Sequence, residues 1–336
     1  MFARHWHRIL AVPLWAAIAT NPCPAQVAPA AVLELDAENI VRYYEDTADS
    51  SKFGTQPGVT PATVAANFQT YVLIGDIVAV NGQPVRGTVS HTARWTNLTP
   101  SPKSGESIAD MIRGGLGQWS FEILNIDGTP IGTIFLAGMH GGARTPGSPL
   151  QVTQGNNTII GGTGAFIGVR GDFGQQVSSS TVAVRPASIM EDPSKRRING
   201  GGKVRWVFHL IPLTTPQVMT SSGLPAVFHG DFSLVSAARP ASAGEVLILQ
   251  ATGLGPTVPG VNPGDVFPAD RLQPVSAPVA ATVDGQKAEV VNSVGWPGLV
   301  DTYRVDIRVP VDVKAGSAIQ LSSAWIPGPA VVIPVQ

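Results

Sequence analysis

From residue 68 onward the apolar positions recur with period two, in short runs divided by glycine, proline and Asn-Gly or Asp-Gly pairs. That pattern predicts strands over residues 69–79, 85–95, 118–125, 131–138, 157–160, 165–175, 203–211 and 227–235. Asn81-Gly82 and Asp127-Gly128 are the residues that tight hairpin turns need, because both central positions must tolerate positive φ. Eight short strands joined in series predict a closed antiparallel up-and-down barrel. Two stretches read as helical instead. Over residues 36–44, Ile40, Val41 and Tyr44 fall at helical spacing. Over residues 104–115, Ser107-Ile108-Ala109-Asp110 forms a capping-box pattern, Ile108, Met111 and Ile112 share a face, and Gly-Gly ends the run. Such a helix either covers one mouth of the barrel or patches its end as a surface element.

Residues 236–244, Ser-Ala-Ala-Arg-Pro-Ala-Ser-Ala-Gly, are small, proline-interrupted and nearly uncharged, so they read as a linker. Beyond it, apolar runs at 245–256, 283–291, 301–309 and near Val331, with turn signals between them, predict a β-sandwich. The expected division is a targeting segment (1–26), a lead-in that packs on the barrel (27–67), the barrel (68–235), the linker (236–244) and the sandwich (245–336). The fold class is therefore all-β.

Charged residues make up 13% of the chain, about half the usual share, while Gly and Pro contribute 37 and 29 positions. This composition suits many turns and argues against helical bundles, coiled coils and nucleic-acid binders, which depend on clustered Lys and Arg. At the N-terminus, Arg4 and Arg8 precede an apolar run from Ile9 to Ala19, and Pro24-Ala25-Gln26 offers a small residue for cleavage. The run is short for a transmembrane helix, so export and removal are expected, placing the protein in the periplasm, at the cell surface or outside. A lipid anchor on Cys23 is the alternative, though Thr20-Asn21-Pro22 lacks the small residue expected before it. Removal also takes the one cysteine, Cys23, and with it any disulfide, thiolate metal site or cysteine nucleophile.

The densest cluster of glycine lies at Gly161-Gly162-Thr163-Gly164-Ala165-Phe166, followed by Arg170-Gly171. Glycine in a strand context marks positive φ or close backbone approach. This run resembles the motif of the dirigent and allene oxide cyclase barrels. The resemblance implies an eight-stranded antiparallel barrel whose lumen holds a small apolar ligand, and it transfers Arg170 as a motif residue. Gly253-Leu254-Gly255-Pro256, with Tyr303-Arg304-Val305 and Val309-Pro310, resembles the Ig-like C-terminal domain of many secreted bacterial proteins. That likeness implies a module that tethers the barrel or contacts another protein or a cell-surface component.

Chemistry-bearing patterns are sparse. The histidines outside the targeting segment, His91, His140, His209 and His229, form no metal-ligand spacing, and no metal or cofactor is expected. His140, in Met139-His140-Gly141-Gly142, reads as a loop histidine or a ligand contact. There is no Gly-x-Ser-x-Gly elbow, and Gly162-Thr163-Gly164 lacks the Lys-Ser or Lys-Thr of a phosphate-binding loop. What remains are charged residues within expected barrel strands: Asp76, Arg94, Glu122 and Arg170. One phase of each barrel strand faces the lumen, where a carboxylate near an arginine would protonate or stabilise an intermediate. The resemblance implies that part for acidic and arginine side chains. The opposite reading is that Trp119, Phe121 and Ile123 fill the lumen or contact ligand, so that Glu122 faces away, while Arg170 braces the glycine turn. Three functions stay open: a secreted binding or scaffold protein, a cyclase or isomerase, and a structural envelope or matrix protein. The first ranks highest, because no catalytic constellation emerges.

Overall fold

A computed structural model of the chain describes residues 31–44, 70–97, 112–139, 157–176, 181–314 and 316–336. The first strands are β1 (Ala31–Tyr44), β2 (Thr70–Val80), β3 (Gln83–Asn97), β4 (Ile112–Leu124), β5 (Pro130–Met139), β6 (Asn157–Gly162), β7 (Arg170–Gln176), β8 (Arg185–Ser188) and β9 (Gly202–Ile211). They are hydrogen-bonded in the order β2-β3-β4-β5-β6-β7-β9-β1, and β1 pairs back onto β2. The result is a closed antiparallel eight-stranded barrel with β8 added in parallel beside β1.

The expected helix over 36–44 is instead part of β1, the strand that closes the barrel. From Ala31 to Ala37 burial alternates with period two, with Leu33 and Leu35 facing inward. Register then shifts between Glu38 and Val41 against β2, and Asn39 takes φ 53°. A bulge of this kind resets the alternation, so Ile40 and Val41 are both buried. Adjacent apolar positions produced by a bulge mimic helical spacing. The expected last barrel strand, 227–235, is not in the barrel: Val227–Phe228 pairs in the second sheet. Of the expected helix at 104–115, residues 112–115 open β4 and the remainder lies outside the described residues, as do the targeting segment and His140.

Inside the barrel the alternating phase of each strand supplies a packed apolar core. Phe121 meets Phe208 at 4.9 Å and Trp206 at 5.2 Å, while Phe173 meets Phe208 at 5.1 Å, all between ring centroids. Trp119 joins this stack against Trp206 at 5.7 Å. Edge-to-face and tilted rings of this kind fill volume and add to area burial.

The second sheet contains β10 (Gln217–Val218), β13 (Val227–Phe228), β14 (Val246–Thr252), β15 (Val279–Val283), β16 (Gln286–Gly295), β17 (Tyr303–Arg308), β18 (Ser317–Ser323), β19 (Ile326–Pro327) and β20 (Val331–Ile333). A two-stranded ribbon of β11 (Thr220–Ser221) and β12 (Leu224–Pro225) lies between β10 and β13 in sequence. β16 pairs with β15 through Gln286–Ala288 and with β17 from Glu289 onward, so the nine-stranded sheet curls over a sandwich-like core that includes Leu247, Leu249, Val305, Ile307 and Leu321. The chain passes from barrel to second sheet through residues 212–216, not through 236–244. In the latter stretch Ala241 is fully buried, its N–H donates to Pro334 O at 3.0 Å, and its carbonyl accepts from Gln336 N at 2.8 Å. Small uncharged residues that suit a linker suit a tightly packed edge equally well.

The two parts share a boundary at the barrel end that carries the Asn81-Gly82 and Asp127-Gly128 turns. Ala277, Ala324 and Ile326 of the second sheet and its loops belong to the barrel's own apolar core. Asn125 Nδ2 donates to Ser276 O at 2.7 Å, and Trp325 Nε1 donates to Gln83 Oε1 at 2.8 Å.

Candidate functional site

The charged residues singled out in the sequence do not converge. Arg94 sits opposite Leu116 and Glu122 opposite Thr88 and Thr133, both exposed on the outer face of the barrel. With Trp119, Phe121 and Ile123 pointing inward, the intervening residues must point out. Asp76 is also on the outer face, but it is covered by the one-turn helix α1 (Arg196–Asn199). It accepts hydrogen bonds from Arg196 Nη2, from Arg197 Nε at 2.8 Å and Nη2 at 2.9 Å, and from Asn39 Nδ2 at 3.0 Å. Burial pushes its carboxyl up, yet the bonds from Arg197, Arg196 and Asn39 outweigh it and hold the pKa at about 2. This is an anchoring ion cluster between β2 and α1, with the Asp76 side chain 11% exposed.

Arg170 is exposed, and its Nη1 donates to the Ile160 carbonyl and to Val169 O at 3.0 Å, bracing the glycine turn from outside. Within that turn Gly164 takes φ 60° and packs on the Ile131 carbonyl, where a Cβ has no room. A Cβ on Gly162 would run into Phe166. Thr163 fixes the turn to β5, its N–H donating to Thr133 O at 2.8 Å and its Oγ1 accepting from Thr133 N at 3.2 Å. Phe166, at the end of the 3₁₀ turn Gly164–Phe166, is fully buried in the barrel core. Gly161 and Gly171 complete the two strands flanking the turn.

The far end of the barrel interior is more polar. His91 stacks on Trp119 at 3.7 Å with rings 2° from parallel, and the Arg42 guanidinium lies 4.8 Å from the centroid of Tyr71. Asn157 is buried there, and among the described residues neither polar atom of its side-chain amide has a hydrogen-bond partner.

Open space lies at the junction instead. A groove of about 530 Å³ runs between the glycine turn of the barrel and the turn that follows β14. Its barrel wall is Gly164, Ala165, Ile167 and Val169; its other wall is built from 252–257, 260–265, Phe267, Val300, Asp301 and Tyr303. The two glycine turns face each other closely enough that a Cβ on Gly255 would sit 3.5 Å from Ala165 Cα. Accessible apolar surface comes from Ile167, Val300 and the half-buried Val261, backed by the buried side chains of Val169, Leu254, Phe267 and Ile326. Polar atoms are few and placed. The Tyr303 hydroxyl donates to Gly255 O at 2.6 Å, Thr252 Oγ1 donates to Asp301 Oδ2 at 2.8 Å, and Asn262 Nδ2 donates to Asp265 Oδ2 at 3.0 Å. Burial and the neighbouring Asp301 carboxylate push the Tyr303 pKa above its ordinary value. An apolar cleft with a few convergent polar groups is the usual form of a small-molecule site.

No residue of the groove was picked for binding from the sequence, although both of its glycine turns were singled out. Their meeting depends on how the second sheet seats on the barrel end, which local pattern does not encode. Among the described residues no group of three His, Cys, Asp or Glu is placed to hold a metal ion, and no helix is long and apolar enough to cross a membrane. No protein-family model, curated protein or solved structure matches the chain.

Proposed function

We propose that this is an exported binding protein in which the barrel is scaffold and the junction groove is the ligand site. The observation that carries the reading is the groove itself: about 530 Å³ with mostly apolar walls, beside a barrel centre packed by Phe121, Phe173, Trp206 and Phe208. The dirigent-like and Ig-like resemblances fit this division of labour, the first supplying a rigid closed sheet and the second a wall that completes the cleft. Export follows from the N-terminal Arg4, Arg8 and Ile9-to-Ala19 pattern.

A fragment screen by melting temperature on the full chain tests the reading. A ligand at about 100 times its Kd stabilises the folded state by about 2.7 kcal/mol, which is readily measured. Val261→Trp, which fills the groove from a half-buried loop position, is expected to abolish the shifts without lowering the unliganded melting temperature by more than a few degrees. A screen with no stabilising fragment, or hits that survive Val261→Trp, would overturn it.

A further inference from the structure

The groove has an imbalance of hydrogen-bonding groups that identifies what it takes; the inference rests on the binding reading above. The Tyr303 hydroxyl has one proton and two acceptors near it, the Gly255 carbonyl at 2.6 Å and the Asp301 carboxylate. That proton goes to Gly255, leaving the carboxylate with Thr252 Oγ1 as its donor at 2.8 Å. Carboxylate oxygens offer about four lone-pair sites, so Asp301 retains capacity for further donors. A second carboxylate, Asp265, lines the same groove, and among the described residues no Lys, Arg or His does. The charge lining the groove is thus of one sign, carried by two solvent-exposed carboxylates.

We propose that the groove selects a small organic cation: an ammonium group set against Asp301, carried on a compact apolar body that packs on Val300, Val261 and Ile167. A neutral ligand of the same shape makes no charge-assisted bond to Asp301, and an anionic one meets repulsion from both carboxylates.

Calorimetric titration of the full chain with 2-phenylethylamine, 2-phenylethanol and 3-phenylpropionate tests this. The amine is expected to bind roughly tenfold more tightly than the alcohol, as a charge-assisted hydrogen bond implies, and the acid more weakly than the alcohol. Asp301→Asn should bring the amine to the alcohol's affinity and leave the alcohol unchanged. Asparagine suits this position, since Asp301 sits at φ 42° and its replacement still accepts from Thr252. Equal affinities for amine and alcohol, or a preference for the acid, overturn the charge selection while groove binding stands. Absence of amine binding, or amine binding that persists in Val261→Trp, also overturns it; the binding reading itself falls only with the fragment screen.

Discussion

The Asp76 carboxylate ties β2 to α1, and its tie is sensitive to acid. Its folded pKa of about 2 lies below the ordinary 3.8, so its contribution to stability is complete above pH 3.8 and is lost as pH falls through about 2. Denaturation curves from pH 5 to 2 are expected to show wild-type stability converging on that of Asp76→Asn; a constant gap between the two would contradict the assignment. Asp76→Ala should cost about 3 kcal/mol at neutral pH, because it strands the Arg196 guanidinium, whose side chain is 12% exposed, without a counter-charge. By contrast, Arg94→Ala and Glu122→Ala remove exposed side chains and should each stay within about 0.5 kcal/mol. Gly164→Val adds a β-branched side chain at φ 60° against the Ile131 carbonyl, and a loss of about 2 to 3 kcal/mol is expected by urea denaturation.

At the level of the element, β1 depends on its bulge. Asn39 provides both the positive φ that lets the strand reset its register and an amide that reaches Asp76. Asn39→Val should destabilise the barrel by roughly 1 to 3 kcal/mol, with Asn39→Gly less harmful because it removes the hydrogen bond but keeps the backbone free. Hydrogen exchange gives the local readout: amides of β1 should lose protection in Asn39→Val well before those of the second sheet. Uniform loss throughout the chain would mean that the bulge has no special place. The same bulge explains why β1 escaped recognition. Leu33, Leu35 and Ala37 alternate as a strand should, but Ile40-Val41 breaks the phase and gives the stretch the spacing of a helical turn.

For the whole molecule, the shared core at the capped barrel end makes the two sheets mutually dependent. Ile326 is 3% exposed and packs into the barrel core from β19, so Ile326→Ala should cost about 2 to 5 kcal/mol. Calorimetry is expected to show one cooperative transition; two separable transitions would show that the junction contributes little. Elastase, which favours small residues, should cut slowly within 236–244, since Ala241 is buried and hydrogen-bonded to the chain's last strand region on both sides. Rapid cleavage there into two folded pieces would restore that stretch as a linker.

The sequence by itself determined the all-β class, the eight-strand barrel, most of its strands and the position of the glycine turn. Those features rest on local chemistry: period-two burial, turn residues that accept positive φ, and glycine where backbone meets backbone. Strand membership at the barrel's seam was decided by tertiary structure: Ala31–Tyr44 pairs with β2 and β9, whereas Val227–Phe228 pairs with β14, partners far away in sequence that local pattern does not name. The direction of Arg94, Glu122 and Asp76 followed once Trp119 and Phe121 took the interior, since neighbours in a strand face opposite sides. The groove belongs wholly to the tertiary level. It exists only because two turns about ninety residues apart in sequence, at Gly164 and Gly255, are brought face to face when the second sheet closes the barrel end.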